Sequence, residues 1–502
     1  MDYDVVVAGA GPVGLMLAAE LRLGGASVKV LERETERPPT RYGSMGARAL
    51  NAPSVHALHL RGILPQVEAA ALWSFNGQAP QQEQPQEDIF VGHFAGIGIR
   101  ASRLKPDAQQ EFLGAGVIAQ ADLEAILEDH AARLGAHVER GTELVGFEDG
   151  TVHTTAGTIT TNWLVGADGG RSTVRKLAGF EFPGEDPVFT GRQAIVELDD
   201  PAELAADGWQ RTENGSYTVG GWAPEAGNAL RIHTVEFTAP ADIGPVTREE
   251  LQASLRRTTG TEVKITKLHQ ATRYSDTTRQ AATYRQGNVL LAGDAAHVHS
   301  PAGGQGLNVG LGDATNLGWK LALVAREQAP ETLLDTYTEE RHPIGAWAQR
   351  WSMAQTALTQ HRGARADALR EVITDLLDTP DGATHVVNRI SGTWQHYDEG
   401  PNPLLGHRVP DLPLDDGTTL ATHFRAGKAV LLDAGANATA TAAPWSDRLT
   451  ITTARPTAFP DQPLAAFIRP DGYVAWVSPG QTDLRAALTT WLGRPRTVGA
   501  PT

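Results

Sequence analysis

Residues 4–14 read Asp-Val-Val-Val-Ala-Gly-Ala-Gly-Pro-Val-Gly, an apolar run that ends in three glycines at the spacing Gly-x-Gly-x-x-Gly. The run Asp4–Ala8 predicts a buried strand, Leu15–Leu23 has the pattern of a helix, and Ser27–Leu31 predicts a second strand. Glu32 ends that strand, where an acid can accept hydrogen bonds from a ribose hydroxyl. Because the glycines allow a tight turn and close backbone approach to phosphate, the stretch predicts a strand-helix-strand unit that binds a dinucleotide.

A second apolar run, Val289–Ala292, ends on Gly293-Asp294, so a carboxylate follows the carboxyl end of a predicted strand. Ligands of open α/β sheets bind at that edge, and an Asp there can accept hydrogen bonds from a polyol. The segment Pro301–Gly306 then places three glycines before a long helical pattern, which exposes backbone N–H groups at the positive end of a helix. The stretch predicts a site for a pyrophosphate or for a ring that gains negative charge, unless it is scaffold alone.

A third buried strand is predicted at Trp163–Val165, and Asp168-Gly169-Gly170 follows it. Ser172 is the expected N-cap of the next helix, and Arg171 and Arg175 lie one turn apart. Two interpretations remain open for this stretch. Either Asp168 orients the turn so that the arginines meet phosphates, or it forms a structural salt bridge with them.

Three further polar side chains have two interpretations each. Arg41 and Arg48 lie in the Gly-rich loop 41–51 and either contact an anion or are solvated. Gln120 lies in the first turn of a helix predicted to run to about Leu134, where its amide either meets a cofactor or caps the helix.

The composition narrows the class of protein. A chain of 502 residues predicts two to four domains, and its net charge of −16 disfavours nucleic acid and anionic membrane surfaces as partners. With no Cys, the chain has neither disulfides nor thiolate ligands. Since neither a signal peptide nor a membrane-spanning apolar run is visible, we expect a cytoplasmic protein. The pattern His297-x-His299 has no third ligand at a fitting spacing, so no metal site is predicted.

The remaining chain predicts three more units. Residues 181–275 have the pattern of an antiparallel sheet inserted between two halves of the first domain, and 326–377 is predominantly helical. Residues 380–413 are rich in turn residues, and the tail after them has an α/β pattern similar to thioredoxin. Without Cys, that tail cannot carry out thiol chemistry.

The inserted sheet carries bulky aromatic side chains that either form its core or line a ligand site. They are Tyr217, Trp222, His233 and Phe237. A planar, fused-ring ligand held between these side chains and the 297–305 loop is the prediction that follows if they line a site.

The three motifs in this order resemble the single-component FAD-dependent aromatic hydroxylases, whose type member is p-hydroxybenzoate hydroxylase. The long linker and the Cys-free tail are most similar to hydroxylases of aromatic polyketide pathways and to rifampicin-modifying monooxygenases. The resemblance implies an α/β fold with a Rossmann-type FAD-binding domain, an inserted antiparallel sheet for substrate and a thioredoxin-like C-terminal domain. The expected boundaries are 1–180 and 276–395 for the FAD-binding domain with its helical linker, 181–275 for the substrate domain and 396–502 for the tail.

The resemblance also implies roles for single residues. Many relatives have an arginine at the position of Pro53, and Arg48 is the candidate that replaces it. The catalytic candidates are Arg48, His297 and Pro301, with His297 and His299 expected beside the flavin. The residues implied to hold FAD are Gly9, Gly11, Pro12, Gly14, Glu32, Arg33, Arg48, Gln120, Asp168, Arg171, Gly293, Asp294, Pro301, Gly304, Gly306, Leu307 and Asn308.

The implied reaction uses NAD(P)H to reduce FAD and O2 to form a flavin C4a-hydroperoxide, which hydroxylates a polycyclic phenolic substrate. The alternatives are an antibiotic-inactivating monooxygenase of the rifamycin or tetracycline type, and a flavin oxidase or dehydrogenase. A non-catalytic flavin-binding scaffold is disfavoured by the intact glycine pattern. Neither nucleic acid nor membrane is expected as a partner, and the protein is expected to be a monomer or a homodimer.

Overall fold

The computed structural model describes residues 1–73, 90–105, 116–204, 208–220, 227–239, 244–360, 363–397, 402–458, 464–478 and 483–495. Its strands are β1 Tyr3–Ala8, β2 Val28–Glu32, β3 Ala47–Leu50, β4 Phe90–Phe94, β5 Ile97–Arg100, β6 Gly116–Ala119, β7 His137–Arg140, β8 Leu144–Glu148, β9 Thr151–Thr154, β10 Gly157–Gly166, β11 Gly184–Glu185, β12 Thr190–Leu198, β13 Gln210–Thr212, β14 Gly215–Val219, β15 Leu230–Glu236, β16 Ile265–Ser275, β17 Thr278–Gln280, β18 Arg285–Gln286, β19 Val289–Leu291, β20 His297–Val298, β21 Ala429–Ala434, β22 Leu449–Thr452, β23 Leu464–Ile468 and β24 Val474–Ser478. Its α-helices are α1 Pro12–Leu23, α2 Ala52–Leu60, α3 Leu64–Ala69, α4 Gln120–Arg133, α5 Thr173–Leu177, α6 Arg248–Thr259, α7 Gly306–Ala325, α8 Asp335–Gln360, α9 Ala364–Leu377, α10 Pro380–Ser391, α11 Thr439–Ala442 and α12 Leu484–Leu492.

The central sheet has the strand order β18-β19-β10-β1-β2-β7, and β1, β2, β7, β10 and β19 pair in parallel. Ala8 in β1 is opposite Gly166 in β10, and Gly166 is opposite Leu291 in β19. The three sequence motifs begin just after these residues. Since the carboxyl ends of parallel strands meet at one edge, the register brings all three motifs together.

Both faces of this sheet are buried, as parallel sheets require, and β8 and β9 contribute to the same core as the helices. Val5, Val6 and Val7 of β1 are completely buried. Helix α1 crosses α7 closely, and a Cβ added at Gly318 of α7 would lie 2.3 Å from the Cβ of Glu20. The absence of a side chain at Gly318 therefore sets how near the two helices come.

The inserted sheet has the strand order β13-β14-β15-β12-β16, with every pair antiparallel. One face packs on α6, where Ala194, Ile232 and Leu251 share a buried cluster. The other face turns toward the first domain, because Arg231 Nη1 donates to the backbone oxygen of Ser44 at 2.7 Å. The sheet therefore lies over the loop that precedes β3.

The C-terminal unit is a mixed four-stranded sheet, β22-β21-β23-β24, with β21 and β22 parallel and the other pairs antiparallel. Arg469 of this unit binds both carboxylate oxygens of Glu340 in α8, at 2.5 and 3.0 Å. Arg61 of the first domain pairs with Glu20 and donates to the backbone oxygen of Pro470 at 2.9 Å. A buried ion pair and a hydrogen bond from buried Arg61 thus join the C-terminal unit to the rest of the chain.

The α/β fold with an inserted antiparallel sheet and a C-terminal domain is the one expected from the sequence. Within the turn-rich stretch 380–413, Pro380–Ser391 forms α10, with Thr379 as its side-chain N-cap. Proline at the first helical position suits a helix start, because its missing N–H would be unpaired there in any case.

Candidate active site

The first glycine-rich turn leaves space at one position only. A Cβ at Gly9 would lie 2.3 Å from the backbone oxygen of Ala167, and one at Gly14 would lie 2.0 Å from that of Gly9. A Cβ at Gly11 would meet nothing within 4 Å. Gly11 precedes α1, which begins with Pro12 and has no side-chain cap. Gly9 and Gly14 therefore allow tight packing, whereas Gly11 borders open space at the positive end of a helix, where a phosphate fits.

The acid at the end of β2 lies beside this turn. Glu32 is 9% exposed, and its carboxylate accepts hydrogen bonds from the backbone N–H of Ala10 at 2.9 Å and of Glu34 at 3.0 Å. Arg33 points outward and pairs with Glu34. Glu32 is thus anchored at the rim of the turn, in the position expected for a ribose contact.

Asp294 is an exposed carboxylate at the sheet edge. A Cβ at Gly306, the first residue of α7, would lie 3.9 Å from Asp294 Oδ1. Gly303 and Gly304 have φ values of +85° and +64°, so the loop before α7 uses conformations that side chains disfavour. The start of α7 has no side-chain cap, which leaves its backbone N–H groups available next to the carboxylate.

The loop that carries Asp294 is held from its buried side by Asp313, a residue that no sequence motif indicates. Asp313 is fully buried in α7, and its Oδ2 accepts from the backbone N–H of Gly293 at 3.0 Å and lies 2.7 Å from His297 Nε2. Its Oδ1 accepts from Arg341 Nε at 2.8 Å. Burial alone would raise the pKa of Asp313, but the charges of His297 and Arg341 outweigh burial and hold it below its usual value. A carboxylate in a helix that is mostly apolar was the available signal.

His297 therefore does not border the cofactor region. It is completely buried beneath the loop and contacts Asp313, contrary to the prediction that it lies beside the flavin. His299 does lie at that loop, because its Nε2 would be 3.7 Å from a Cβ on Gly306 and has no hydrogen-bond partner. Burial lowers the pKa of His299. Within the described ranges, no cluster of three or more His, Asp or Glu side chains is arranged as a metal site.

Asn308 connects the start of α7 to the loop before α2. Its Oδ1 accepts from the backbone N–H of Asn51 at 2.9 Å and from Ser54 Oγ at 2.8 Å. Its Nδ2 donates to the backbone oxygens of Ala49 and Gly304. The amide is thus fully engaged within the protein, so Asn308 shapes the loop, and only its backbone is left for a cofactor.

Asp168 accepts hydrogen bonds from the first turn of α5, whose N-cap is Ser172 as expected, and among the described residues it forms no salt bridge with Arg171 or Arg175. It accepts from Ser172 Oγ at 2.5 Å and from the backbone N–H of Thr173 at 2.7 Å. Arg175 donates to the backbone oxygens of Ala295 and Gly170, both at 2.8 Å, so it braces the turn that follows Asp294. Arg171 is exposed and remains available at the surface.

Arg48 lies on β3, which pairs with β6. Burial lowers the pKa of its guanidinium, and the nearby carboxylate of Asp294 opposes that effect.

Gln120 is the first residue of α4 and donates to Glu124 Oε1 at 2.9 Å. The N-cap of this helix is Ala119, so Gln120 is not the cap. Arg41 also binds the buried Glu124 and is therefore not simply solvated.

The aromatic side chains of the inserted sheet divide between its two faces. Tyr217 packs in the cluster against α6, which places its ring away from the cleft and against its predicted role at the substrate. His233 lies on the other face, 6.4 Å from the ring of Tyr274 between centroids, and burial lowers its pKa to about 3. Phe237 is half-buried just after β15, and Trp222 lies outside the described residues.

The described residues fit FAD. The open space at Gly11 and the helix start behind it suit the pyrophosphate, and Glu32 suits the adenosine ribose. Asp294 suits the ribitol hydroxyls, and the glycine turn before α7 allows a flat ring to approach backbone N–H groups. These features lie along one sheet edge, as one extended dinucleotide requires.

Comparisons with known proteins agree with this geometry. The chain is 38% identical over 525 residues to a 12-dehydrotetracycline 5-monooxygenase/anhydrotetracycline 6-monooxygenase of Streptomyces rimosus, covering 99% of this chain and 100% of that protein. It is 35% identical to a rifampicin monooxygenase of Rhodococcus hoagii, covering 98% of each chain. The crystal structure of an aromatic hydroxylase from angucycline biosynthesis aligns with a TM-score of 0.85 at 36% identity, over 99% of this chain and 100% of that chain.

Two protein families match the N-terminal and C-terminal parts of the chain. Residues 2–352 match the FAD binding domain family, and residues 402–495 match the C-terminal domain of aromatic-ring hydroxylases. No helix among the described residues has the length and apolar character needed to cross a membrane. The glycine turn and the carboxylate of Asp294 at the sheet edge agree with these family matches, which cover most of the chain. The chain belongs to the FAD-binding aromatic-ring hydroxylase family of monooxygenases.

Proposed function

We propose that the protein uses NAD(P)H and O2 to hydroxylate a polycyclic phenol of the aromatic polyketide type. One observation supports this proposal most strongly. Gly11, Asp294 and the start of α7 lie together at one sheet edge, below the face of the inserted sheet that carries His233. A cofactor along that edge would place its ring between the α7 loop and the sheet. A planar substrate could then stack against aromatic side chains.

When bound, FAD would supply the activation and transfer of oxygen, and the chain supplies position and charge. In our proposal Asp294 holds the ribitol, and Arg48 adds positive charge near the same carboxylate. Backbone N–H groups at Gly304–Leu307, at the positive end of α7, would hold the flavin ring and favour negative charge on it through the helix dipole. Pro301 and Ala302 form the adjacent surface, and His233 remains neutral at neutral pH because its pKa is about 3.

The aromatic rings of Trp209 and Tyr274 beside the neutral His233 support a substrate that is flat and sparsely charged. His233 Nδ1 is buried without a hydrogen-bond partner, so it can meet a substrate hydroxyl. We further propose that the protein acts in the cytoplasm as a monomer or homodimer, with neither nucleic acid nor membrane as a partner.

The test is NAD(P)H oxidation by the FAD-loaded protein with a panel of polycyclic phenols, followed by product mass and labelling from isotopic O2. We expect at least one compound to accelerate NAD(P)H oxidation and to gain one oxygen atom from O2. The variant Asp294→Ala should lower FAD occupancy and turnover, whereas Asp375→Ala, which changes an exposed acid on α9, should leave both unchanged. Product without label from O2 would contradict the proposal.

A second candidate function is inactivation of an antibiotic of the rifamycin or tetracycline type. It is favoured by the similarity to a rifampicin monooxygenase over 98% of each chain. Including rifamycins and tetracyclines in the same panel separates the two. Oxygen consumption that yields only hydrogen peroxide with every compound would instead indicate a flavin oxidase.

A further inference from the structure

A group of aromatic and amide side chains lies beside the glycine turn that precedes α7. A Cβ at Gly303 would be 2.3 Å from Gln355 Nε2 and 3.5 Å from Trp351 Cδ1, so these two side chains of α8 pack directly on the turn. Trp351 stacks on Trp347 with ring centroids 5.4 Å apart, and Phe94 meets Trp351 edge-on at 4.9 Å. The turn is therefore walled by flat apolar surfaces.

Three hydrogen-bond donors in this group are buried and have no acceptor. They are Trp351 Nε1, Gln355 Nε2 and Nε1 of Trp394, whose ring lies 4.7 Å from that of Trp347 between centroids. Gln355 is 1% exposed, and its Oε1 accepts from the backbone N–H of Ala95 at 3.0 Å, which fixes the direction of its amide. Since buried donors are normally paired, three in one group need a reason.

Acceptors within the group do not balance these donors. Gln305 Oε1 is also unpaired, while Gln305 Nε2 donates to the backbone oxygens of Gly303 and Ile390. The Thr356 hydroxyl is unpaired and can act either way. The surplus is therefore in donors, and a ligand that satisfies it must present acceptor oxygens.

The group is continuous with the inserted sheet. Arg370 of α9 donates to the backbone oxygen of Ala95 at 2.9 Å, and Arg211 of β13 lies 3.7 Å from Asp367 of α9. The β4–β5 hairpin and α9 thus connect the surroundings of the glycine turn to the inserted sheet. A ligand bound between the turn and the sheet would meet the flat rings and the unpaired donors together.

We propose that Trp351, Gln355 and Trp394 form a recognition wall for the oxygen-bearing edge of a fused-ring substrate, an inference that rests on the proposed function. The wall selects compounds with keto or phenolic oxygens along one edge over compounds of equal size without them. Aromatic stacking supplies affinity that does not depend on those oxygens. The donors supply selectivity, because a site built to hydrogen-bond a ligand discriminates against the analogue that leaves its groups unpaired.

The test compares two probes of similar size on the FAD-loaded protein: 1,8-dihydroxyanthraquinone, which carries several acceptor oxygens, and 2-hydroxyanthracene, which carries one oxygen. Dissociation constants are measured from the change in flavin absorbance. We expect the wild-type protein to prefer the quinone by about tenfold or more, the value of one good hydrogen bond. Trp351→Phe and Gln355→Glu should each reduce that preference by about tenfold. Gln355→Glu keeps the acceptor for Ala95 and removes the donor.

The matched control is Trp319→Phe, which also removes a buried indole N–H without a partner, but beside Trp491 of the C-terminal unit. It should leave the preference unchanged. FAD content and melting temperature identify a variant that fails to fold, in which case the other variant decides. Equal affinity for both probes, binding of neither, or an unchanged preference in the folded variants would overturn the proposal. Probe binding without NAD(P)H-dependent hydroxylation would count against the proposed function and not against the wall.

Discussion

His297 Nε2 and Asp313 Oδ2 lie 2.7 Å apart, and both side chains are completely buried. The first histidine of the His297-x-His299 pattern therefore stabilises the protein interior. Through the backbone N–H of Gly293, the same carboxylate oxygen also holds the turn that presents Asp294. The buried carboxylate of Asp313 thus positions the turn that carries the exposed carboxylate of Asp294.

We expect Asp313→Asn to destabilise the fold and to weaken FAD binding at the same time. The change leaves Arg341 with an unpaired buried charge, and breaking a buried pair costs about 3–5 kcal/mol. Thermal unfolding and FAD titration measure the two effects. The control is Asp375→Asn on the exposed face of α9. A stable Asp313→Asn protein with normal FAD affinity would show that the hydrogen bonds to Gly293 and Arg341 are dispensable.

Asp294→Ala should behave differently, because the side chain is exposed and makes no hydrogen bond among the described residues. The melting temperature of the FAD-free protein should hardly change. FAD affinity should fall by about 1.5–3 kcal/mol, the value of hydrogen bonds to a charged group. Equal FAD dissociation constants for variant and wild type would contradict this role.

Substitutions at two glycines of the first turn should have different effects, one on folding and the other on FAD binding. At Gly14 an added methyl group meets the backbone oxygen of Gly9 at 2.0 Å, so Gly14→Ala should lower the melting temperature of the FAD-free protein. At Gly11 the methyl group enters open space, and the φ of −76° suits any residue. Gly11→Ala should therefore fold normally and bind FAD weakly, because the methyl group occupies the path of the phosphate. Normal FAD affinity in Gly11→Ala would place the cofactor elsewhere.

Tyr217 and His233 test the two faces of the inserted sheet. Tyr217→Ala should remove core packing against α6 and cost about 3–5 kcal/mol without altering substrate affinity in the protein that still folds. His233→Ala should weaken substrate binding with little change in melting temperature. Both variants are compared by titration with an accepted substrate. If Tyr217→Ala alone lowered affinity, the assignment of faces would be wrong.

The lowered pKa of Glu340 predicts that the stability of the fold depends on pH. Although burial would raise its pKa, the charges of Arg469 and Lys320 lower it to about 2. A carboxylate whose folded pKa lies below its unfolded pKa stabilises the fold fully above the unfolded value, near 4.5, and loses that contribution as pH falls toward 2. The stability difference between wild type and Glu340→Gln should therefore shrink as the pH falls below about 4.5.

Melting temperatures of both proteins across that range provide the measurement. Glu339→Gln is the matched control, because Glu339 is the exposed neighbour on the same helix. A difference that stays constant down to pH 3 would contradict the pairing. Loss of FAD-dependent turnover in a folded Glu340→Gln protein would instead implicate the contact between α8 and the C-terminal unit in chemistry.

The sequence by itself determined the parts of the protein that depend on local pattern. The strand, glycine turn, helix and acid at residues 4–32 predict a dinucleotide unit, because each feature follows from residues close together along the chain. The carboxylate of Asp294 after a strand and the glycines before α7 were recognisable in the same way. These local features also sufficed to predict the family, the α/β class and the presence of FAD.

Only the tertiary structure decided which polar groups face the cleft and which support it from behind. His297 and His299 are two positions apart, yet one contacts buried Asp313 and the other lies beside Gly306. Tyr217 and His233 both lie on strands of one sheet, but strand pairing turns one toward α6 and the other toward the cleft. Asp313, Gln355 and Trp351 act through neighbours far away in sequence. Burial and long-range hydrogen bonds arise from packing between distant segments, so no local pattern contains them.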